Sequence, residues 1–252
     1  MPSAVVWMIE GERCSDHQLA PWMACLTDAE KQRYQAFIRP ARQREFLIGR
    51  ILLRFAVARL THLAFDAISV MERKNNAPLL ILPDAFSAAT TIQPSISLSH
   101  SRGWVACAVS ADTPLGLDIE MRDPSRDLMA LSQTAFSAME HGWLSQQSEA
   151  SRVAEFYMLW SSKEALYKLM SNTDNASTQP ELVCAGGKLT SGVNWHLKEL
   201  PHPQLSVSLC SLYPLTAPLL IELNGGSPVA WAQEADLLFD VRCTAVSRRT
   251  SD

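Results

Sequence analysis

Trp160-Ser161-Ser162-Lys163-Glu164-Ala165-Leu166-Tyr167-Lys168 is the stretch from which the rest of the chain is read. As a helix, its four-residue spacing stacks Trp160, Glu164 and Lys168 on one face, so that a carboxylate lies between an aromatic anchor and an ammonium. Such a face suits chemistry. The same spacing also describes a solvated Glu/Lys pair on an ordinary amphipathic helix. The choice between them falls to what the chain places elsewhere.

The 252 residues are 47% hydrophobic and 19% charged, the composition of a soluble globular chain with material for a sizeable core in one large or two small domains. A formal charge of -4 argues against a general nucleic-acid binder, which needs a cationic face. The charge is uneven, however. Arg39, Arg42, Arg44, Arg50 and Arg54 face one acid, Glu45, five against one, for a local +4 that suits a small anionic ligand or an acidic partner. The six cysteines have neither paired C-x-x-C spacing nor accompanying histidines, and read as reduced thiols. Met1 to Glu10 lacks the basic start of a signal peptide, and no apolar run approaches the roughly 20 residues that span a bilayer. A cytoplasmic protein with no membrane partner is expected.

Ala4 to Ile9 reads as an opening strand. Two helices are expected next, near Asp28 to Ile38 and Ala41 to His62, the first capped by Thr27 with Glu30 completing a capping box. Leu47, Ile48, Ile51, Leu52 and Phe55 should turn the second helix to the core and leave much of the arginine set on its other side. Gly49 reads either as a tolerated glycine or as a place of close approach. Ala67 to Arg73 reads as a strand and Lys74 to Pro78 as a turn. Short strands Ser95 to Leu98 and Trp104 to Ser110 are expected on either side of a Ser99 to Gly103 connection.

Ala111-Asp112-Thr113-Pro114 is the natural boundary, dividing the chain into 1–111 and 112–252. The second half repeats the plan of the first. Strand Leu115 to Glu120 precedes helices near Leu128 to Leu131, Thr134 to Gln146 and Glu149 to Met170. A polar loop follows from Ser171 to Pro180, then strands including Leu205 to Leu212 and Leu219 to Leu223, and a frayed tail from Ser247. Strand, helices, then strands in both halves gives an α+β fold of two similar units packed face to face.

Two further stretches bear on chemistry. In Gly116-Leu117-Asp118-Ile119-Glu120, strand alternation puts Asp118 and Glu120 on one face and Leu117 and Ile119 on the other. Two carboxylates that close repel unless a cation lies between them, and an all-oxygen set with no His or Cys nearby suits a hard ion such as Mg²⁺. Ser97-Leu98-Ser99-His100-Ser101 is a polar cluster between apolar strands. It lacks the glycine-flanked elbow of a serine nucleophile, while its donors beside a basic patch suit phosphate; a structural histidine is the plain alternative.

The order Ser-His-Ser at Ser99 to Ser101, Gly-x-Asp-Ile-Glu at Gly116 to Glu120, then Trp-Ser-x-Lys-Glu-Ala-x-x-Lys at Trp160 to Lys168 resembles the surfactin-synthetase-activating class of 4′-phosphopantetheinyl transferases. Phe37-Ile38-Arg39 and Leu47 to Arg54 extend the resemblance to an arginine-bearing helix, so that it runs from about residue 33 to residue 168. The resemblance implies two α+β halves related by pseudo-two-fold symmetry. It implies a monomeric, Mg²⁺-dependent transfer of the phosphopantetheine arm of coenzyme A to a serine of an apo acyl or peptidyl carrier protein, releasing adenosine 3′,5′-bisphosphate. By position, Asp118, Glu120 and Glu164 would hold Mg²⁺, Glu164 and Lys168 would be catalytic, and Arg33, Arg50, Ser99, His100, Lys163 and Lys168 would contact coenzyme A. Lys163 points off the Trp160–Glu164–Lys168 face.

The chain departs from the family pattern in three places. Asn76-Ala77-Pro78 stands where Gly-Lys-Pro is common, Glu30 where lysine is common, and Leu169 to Asp174 where a glycine-bearing segment is common. These departures bear on the coenzyme A grip and carrier docking. They leave room for two other readings: a non-catalytic coenzyme A or carrier-binding module of the same fold, and a different metal-dependent phosphoryl-transfer enzyme.

Overall fold

A computed structural model of the chain describes residues 3–71, 73, 78–89, 94–173, 183–185, 188–192, 194–234 and 236. The apolar opening forms strand β1 (Val5–Glu10), followed by the short helix α1 (Asp16–Leu19). Helix α2 (Asp28–Ala36) starts at the expected capping box: Thr27 Oγ1 accepts from Glu30 N, and Glu30 Oε2 accepts from Thr27 N. Pro40 opens helix α3 (Pro40–Thr61), where its missing N–H is no loss. Short strands β2 (Ser69–Met71) and β3 (Leu79–Ile81) pair antiparallel, and helix α4 (Asp84–Ala89) follows. The expected turn at 74–77 lies outside the described residues.

Strands β4 (Ser95–Ser101) and β5 (Trp104–Ser110) form a hairpin in which Ser99 and His100 belong to the strand, paired with Ala106 and Val105. The expected five-residue connection shrinks to Arg102-Gly103, both at positive φ, as a tight hairpin turn requires. Strand β6 (Leu115–Met121) leads into helices α5 (Leu128–Ala135), α6 (Ala138–Ser145) and α7 (Glu149–Asn172). Among the described residues five strands follow: β7 (Val183–Ala185), β8 (Lys188–Thr190), β9 (His196–Leu200), β10 (Leu205–Ser211) and β11 (Leu219–Leu223). The polar loop expected from Ser171 begins later, since α7 runs to Asn172; residues 174–180 and the tail from Ser247 lie outside the described residues.

Among the described residues the two larger sheets have the orders β11-β1-β5-β4 and β6-β10-β9, beside the two-stranded pairs β2-β3 and β7-β8. Alternation along β1 and β5 sends Trp7, Ile9, Val105 and Cys107 toward α3, and Val6, Met8, Trp104 and Ala106 toward Leu117, Ile119, Val207 and Leu209 of the other sheet. Helix α7 covers the far face of β6 and β10. The result is an α+β fold with layers in the order helix, sheet, sheet, helix. The end of the described chain packs back on the first sheet: β11 pairs in parallel with β1, and Trp231, fully buried, packs edge-on to Trp22 at 5.0 Å and to Phe55 at 5.5 Å.

The arginine set is where pattern reading fails. Leu47, Ile48, Ile51, Leu52 and Phe55 are buried as expected, but so are Arg50 and Arg54, at 5% and 2% exposure. The reason is Glu30, fully buried at the capping box. Arg54 Nη2 and Nη1 donate to its two oxygens at 2.6 and 3.2 Å, Arg54 Nε donates to Ile68 O, and Arg50 Nε lies 3.4 Å from Glu30 Oε1. A buried carboxylate is tolerable only with such partners. Gly49 needs no special account, because a Cβ there would meet Val105 at an ordinary 3.7 Å.

His202, in the β9–β10 connection, joins the sheets. Its side chain is 4% exposed and stacks edge-on to Trp104, while Nδ1 accepts from Gln204 N and Leu205 N and Nε2 lies 3.5 Å from Glu222 Oε2 on β11. Burial lowers its pKa below 6.5 by more than Glu222 raises it, and Arg122 lowers it further. The neutral ring therefore contributes stability that is complete above pH 6.5 and is lost as the pH falls through the lowered folded value. The urea midpoint of the wild type should drop more between pH 7.5 and pH 5.5 than that of His202→Asn, which keeps an acceptor and cannot titrate; parallel drops would exclude His202 as a source.

Candidate functional site

The seam between the two sheets is made by side chains. Ser95, Ser97, Ser99 and Ser101 alternate along β4, so all four hydroxyls turn to one side. Each accepts from a backbone N–H of β6: Leu115 at 2.9 Å, Leu117 at 2.8 Å, Ile119 at 3.2 Å and Met121 at 3.1 Å. A hydroxyl that accepts still has its own proton to give. Ser99 gives it to Asp118 Oδ1 and Ser101 to Glu120 Oε2, both at 2.8 Å.

Helix α7 is seated on β6 so closely that its partner must be glycine. A Cβ on Gly116 would lie 1.9 Å from Ala165 O and 2.5 Å from Leu169 N. The seat continues on β10, where Ser161 Oγ meets Ser206 and Ser208 at 2.9 and 2.8 Å and Ser162 Oγ meets Ser208 at 3.1 Å, all four buried. From this seat Lys168 Nζ reaches Asp118 Oδ1 at 2.7 Å, Leu117 O at 3.0 Å and Ser99 Oγ at 3.1 Å, which uses all three of its donors. Glu164, one turn back, is exposed.

The acids outnumber their cation. Glu120 titrates above the usual carboxylate range through burial, against the Ser101 hydrogen bond, with Asp118 and Glu164 adding repulsion. Glu164, although its side chain reaches solvent, is raised by partial desolvation against the neighbouring elements and by Asp118, against the pull of Lys168. Asp118 is 4% exposed, and its Oδ2 is buried with no hydrogen-bond partner. Among the described residues no three His, Cys, Asp or Glu groups already stand together as a metal site. The donor set nevertheless fits a hard divalent cation in chemistry and charge: three carboxylates that repel one another, one with an orphaned oxygen and one exposed and able to turn.

The other predicted residues are dispersed. His100 lies on the opposite side of β4 from the serines; Arg42 Nη1 donates to its Nε2 at 2.6 Å, and Glu45 Oε2 is 3.5 Å from Nδ1. Partial burial and then Arg42 lower its pKa, against the pull of Glu45. Arg33 is exposed in the last turn of α2. Two expectations are corrected. Arg50 is committed inside the core, beside Glu30 and 4.7 Å over the Phe46 ring, and is closed to a ligand. Lys163 is held by both oxygens of the buried Glu140, at 2.6 and 2.9 Å, because it projects toward α6. Trp160 anchors the same side of α7, stacked on Phe156 at 5.8 Å. Missed in the sequence were Arg42 and Glu45, and Ser101 as a carboxylate partner. The four alternating serines were the available signal.

With this geometry in view, comparison with known proteins is direct. Residues 13–112 match the family model "4'-phosphopantetheinyl transferase, N-terminal", and residues 114–208 match that of the "4'-phosphopantetheinyl transferase superfamily". The chain is 32% identical over 152 residues to 4'-phosphopantetheinyl transferase psf-1 of Bacillus pumilus, covering 60% of this chain and 59% of that protein. It is 27% identical over 190 residues to 4'-phosphopantetheinyl transferase HetI of Nostoc sp., covering 73% and 77%. Among solved structures, a holo-(acyl-carrier-protein) synthase from Bacillus anthracis in complex with CoA (3',5'-ADP) aligns with 42% of this chain and 92% of its own, at a TM-score of 0.35 and 23% identity. The chain belongs to the 4′-phosphopantetheinyl transferase superfamily.

Two outcomes test the geometry. Gly116→Ala must lift α7 from β6, and urea unfolding should show a loss of about 1–3 kcal/mol or more, as for other overpacked positions; an unchanged midpoint would mean the helix does not sit as described. Mg²⁺ at about 100 times its Kd should stabilise the wild type by about 2.7 kcal/mol, read as a higher melting temperature. The shift should shrink in Glu120→Gln and Asp118→Asn; equal shifts in all three proteins would place the ion elsewhere.

Proposed function

We propose that this chain is a Mg²⁺-dependent 4′-phosphopantetheinyl transferase of the surfactin-synthetase-activating class. It moves the phosphopantetheine arm of coenzyme A to a serine of an apo acyl or peptidyl carrier protein, acting as a monomer in the cytoplasm. The observation that carries this reading is the meeting of Ser99, Asp118, Glu120 and Lys168 at the β4–β6 seam, with Glu164 exposed beside them. The division into residues 1–111 and 112–252, with coenzyme A between the halves, belongs to the same reading. No helix among the described residues is long and apolar enough to cross a membrane.

Asp118, Glu120 and Glu164 would hold the Mg²⁺. When bound, the ion supplies charge neutralisation and polarisation at the pyrophosphate oxygens. The acceptor serine oxygen forms a bond to the phosphorus that carries the pantetheine arm, the bond from that phosphorus to the bridging oxygen breaks, and adenosine 3′,5′-bisphosphate departs. Glu164, solvent-facing and with a raised proton affinity, takes the serine proton. Lys168, whose three donors rest on Asp118, Ser99 and Leu117 O, turns one of them from Asp118 to stabilise negative charge on the departing phosphate. His100, with Arg42, orients a coenzyme A phosphate, Ser99 acts on the phosphates through the Lys168 ammonium it holds, and Arg33 supplies a more distant positive charge.

Intact mass spectrometry after incubation with apo carrier protein, coenzyme A and Mg²⁺ should show the carrier heavier by one phosphopantetheine. Glu164→Ala should reduce the rate at least about 100-fold, the lower range for loss of a positioned base, without altering the melting temperature. No mass gain with several carriers would refute the transfer. A second reading, a coenzyme A or carrier-binding module without turnover, draws on Arg50 and Lys163 being committed to internal acids. Calorimetric coenzyme A binding without any mass gain would favour it.

A further inference from the structure

We propose that Ser101 is the positioning residue of Glu120, its hydroxyl clamping the carboxylate in the orientation in which Glu120 ligates a divalent cation; this rests on the Mg²⁺-dependent reading above. Ser101 is 9% exposed, so water competes little for its two bonds. It accepts from Met121 N at 3.1 Å and donates to Glu120 Oε2 at 2.8 Å. The two bonds land on consecutive residues of β6, one on backbone and one on side chain. The hydroxyl therefore fixes the carboxylate relative to the strand that carries it.

A glutamate has several side-chain torsions to lose on being ordered, and Glu120 is only half-buried. Asp118 is held twice, by Ser99 and by Lys168. The Glu120 carboxylate has a single hydrogen bond among the described residues, the one from Ser101. It engages Oε2 and leaves Oε1 to turn toward an ion. Partners that orient a metal-binding carboxylate in this way typically contribute 10- to 100-fold in metal affinity.

The seam contains its own control. Ser97 accepts from Leu117 N at 2.8 Å just as Ser101 accepts from Met121 N, but its structural bond reaches no carboxylate. A purely structural role for Ser101 would make the two alanine variants behave alike; a clamp would make them differ.

The experiment is titration of purified full-length protein with Mn²⁺, reading free ion by electron paramagnetic resonance, alongside thermal melts. Ser101→Ala should weaken Mn²⁺ binding about tenfold or more, Ser101→Thr should restore it to within about twofold of wild type, and Ser97→Ala should lower the melting temperature while leaving Mn²⁺ affinity unchanged. Equal Mn²⁺ affinity in Ser101→Ala and wild type overturns the clamp, as does a threonine variant as weak as alanine, or a wild type that binds no Mn²⁺. A wild type that shows the expected Mn²⁺ pattern but transfers no phosphopantetheine refutes the assigned reaction and still supports the clamp.

Discussion

The row of four serine hydroxyls between β4 and β6 is the constraint on which the rest of the molecule depends. In an ordinary sheet, neighbouring strands share a backbone ladder about 4.8 Å wide. Here the N–H groups of Leu115, Leu117, Ile119 and Met121 are satisfied by side-chain oxygens instead. The two sheets remain distinct, yet no buried donor along this edge is stranded. The same substitution makes the site possible. A backbone carbonyl can only accept, whereas a serine can accept from the strand and donate onward, and Ser99 and Ser101 use that second capacity on Asp118 and Glu120.

Placement of the helix follows from equally small groups. Gly116 lets the α7 backbone rest on β6, and Ser161, Ser162, Ser206 and Ser208 fill the space to β10 with hydroxyls that satisfy one another. Larger residues at these positions would hold α7 farther away and draw the Lys168 ammonium out of reach of Asp118. The two serines inside Trp160-Ser161-Ser162-Lys163 thus set the position of Glu164 and Lys168.

What could be read from the sequence was whatever has a local cause. The strand at β1, the Thr27–Glu30 capping box, the apolar stripe of α3 and the common face of Asp118 and Glu120 each follow from spacing within a few residues, and each is present. What escaped depends on a partner distant in sequence. Arg50 and Arg54 looked solvent-facing because Glu30, 24 residues before Arg54, is invisible to helical periodicity. Lys163 looked available because Glu140 lies on another helix. The return of β11 to β1 has no local signal at all, since a short apolar strand is compatible with either sheet. Ser101 and its neighbours were visible as residues but not as a seam, because alternation gives a side and not the identity of what lies across it.

These pairings also change the electrostatic reading of the chain. The local +4 between Arg39 and Arg54 is halved by partners distant in sequence: Arg50 and Arg54 share Glu30, Arg42 pairs with Glu45 and Arg44 with Asp16, three acids for the five arginines. An imbalance of opposite sign lies at the junction of α7 and β6, where Asp118, Glu120 and Glu164 face one ammonium, Lys168, and the two glutamates hold their protons more tightly than usual. Such a locus attracts a cation before it attracts an anion. On the reading proposed above, a pyrophosphate therefore cannot be drawn in by this junction alone. For phosphate to be met there, Lys168 must loosen its hold on Asp118 as it turns from the carboxylate.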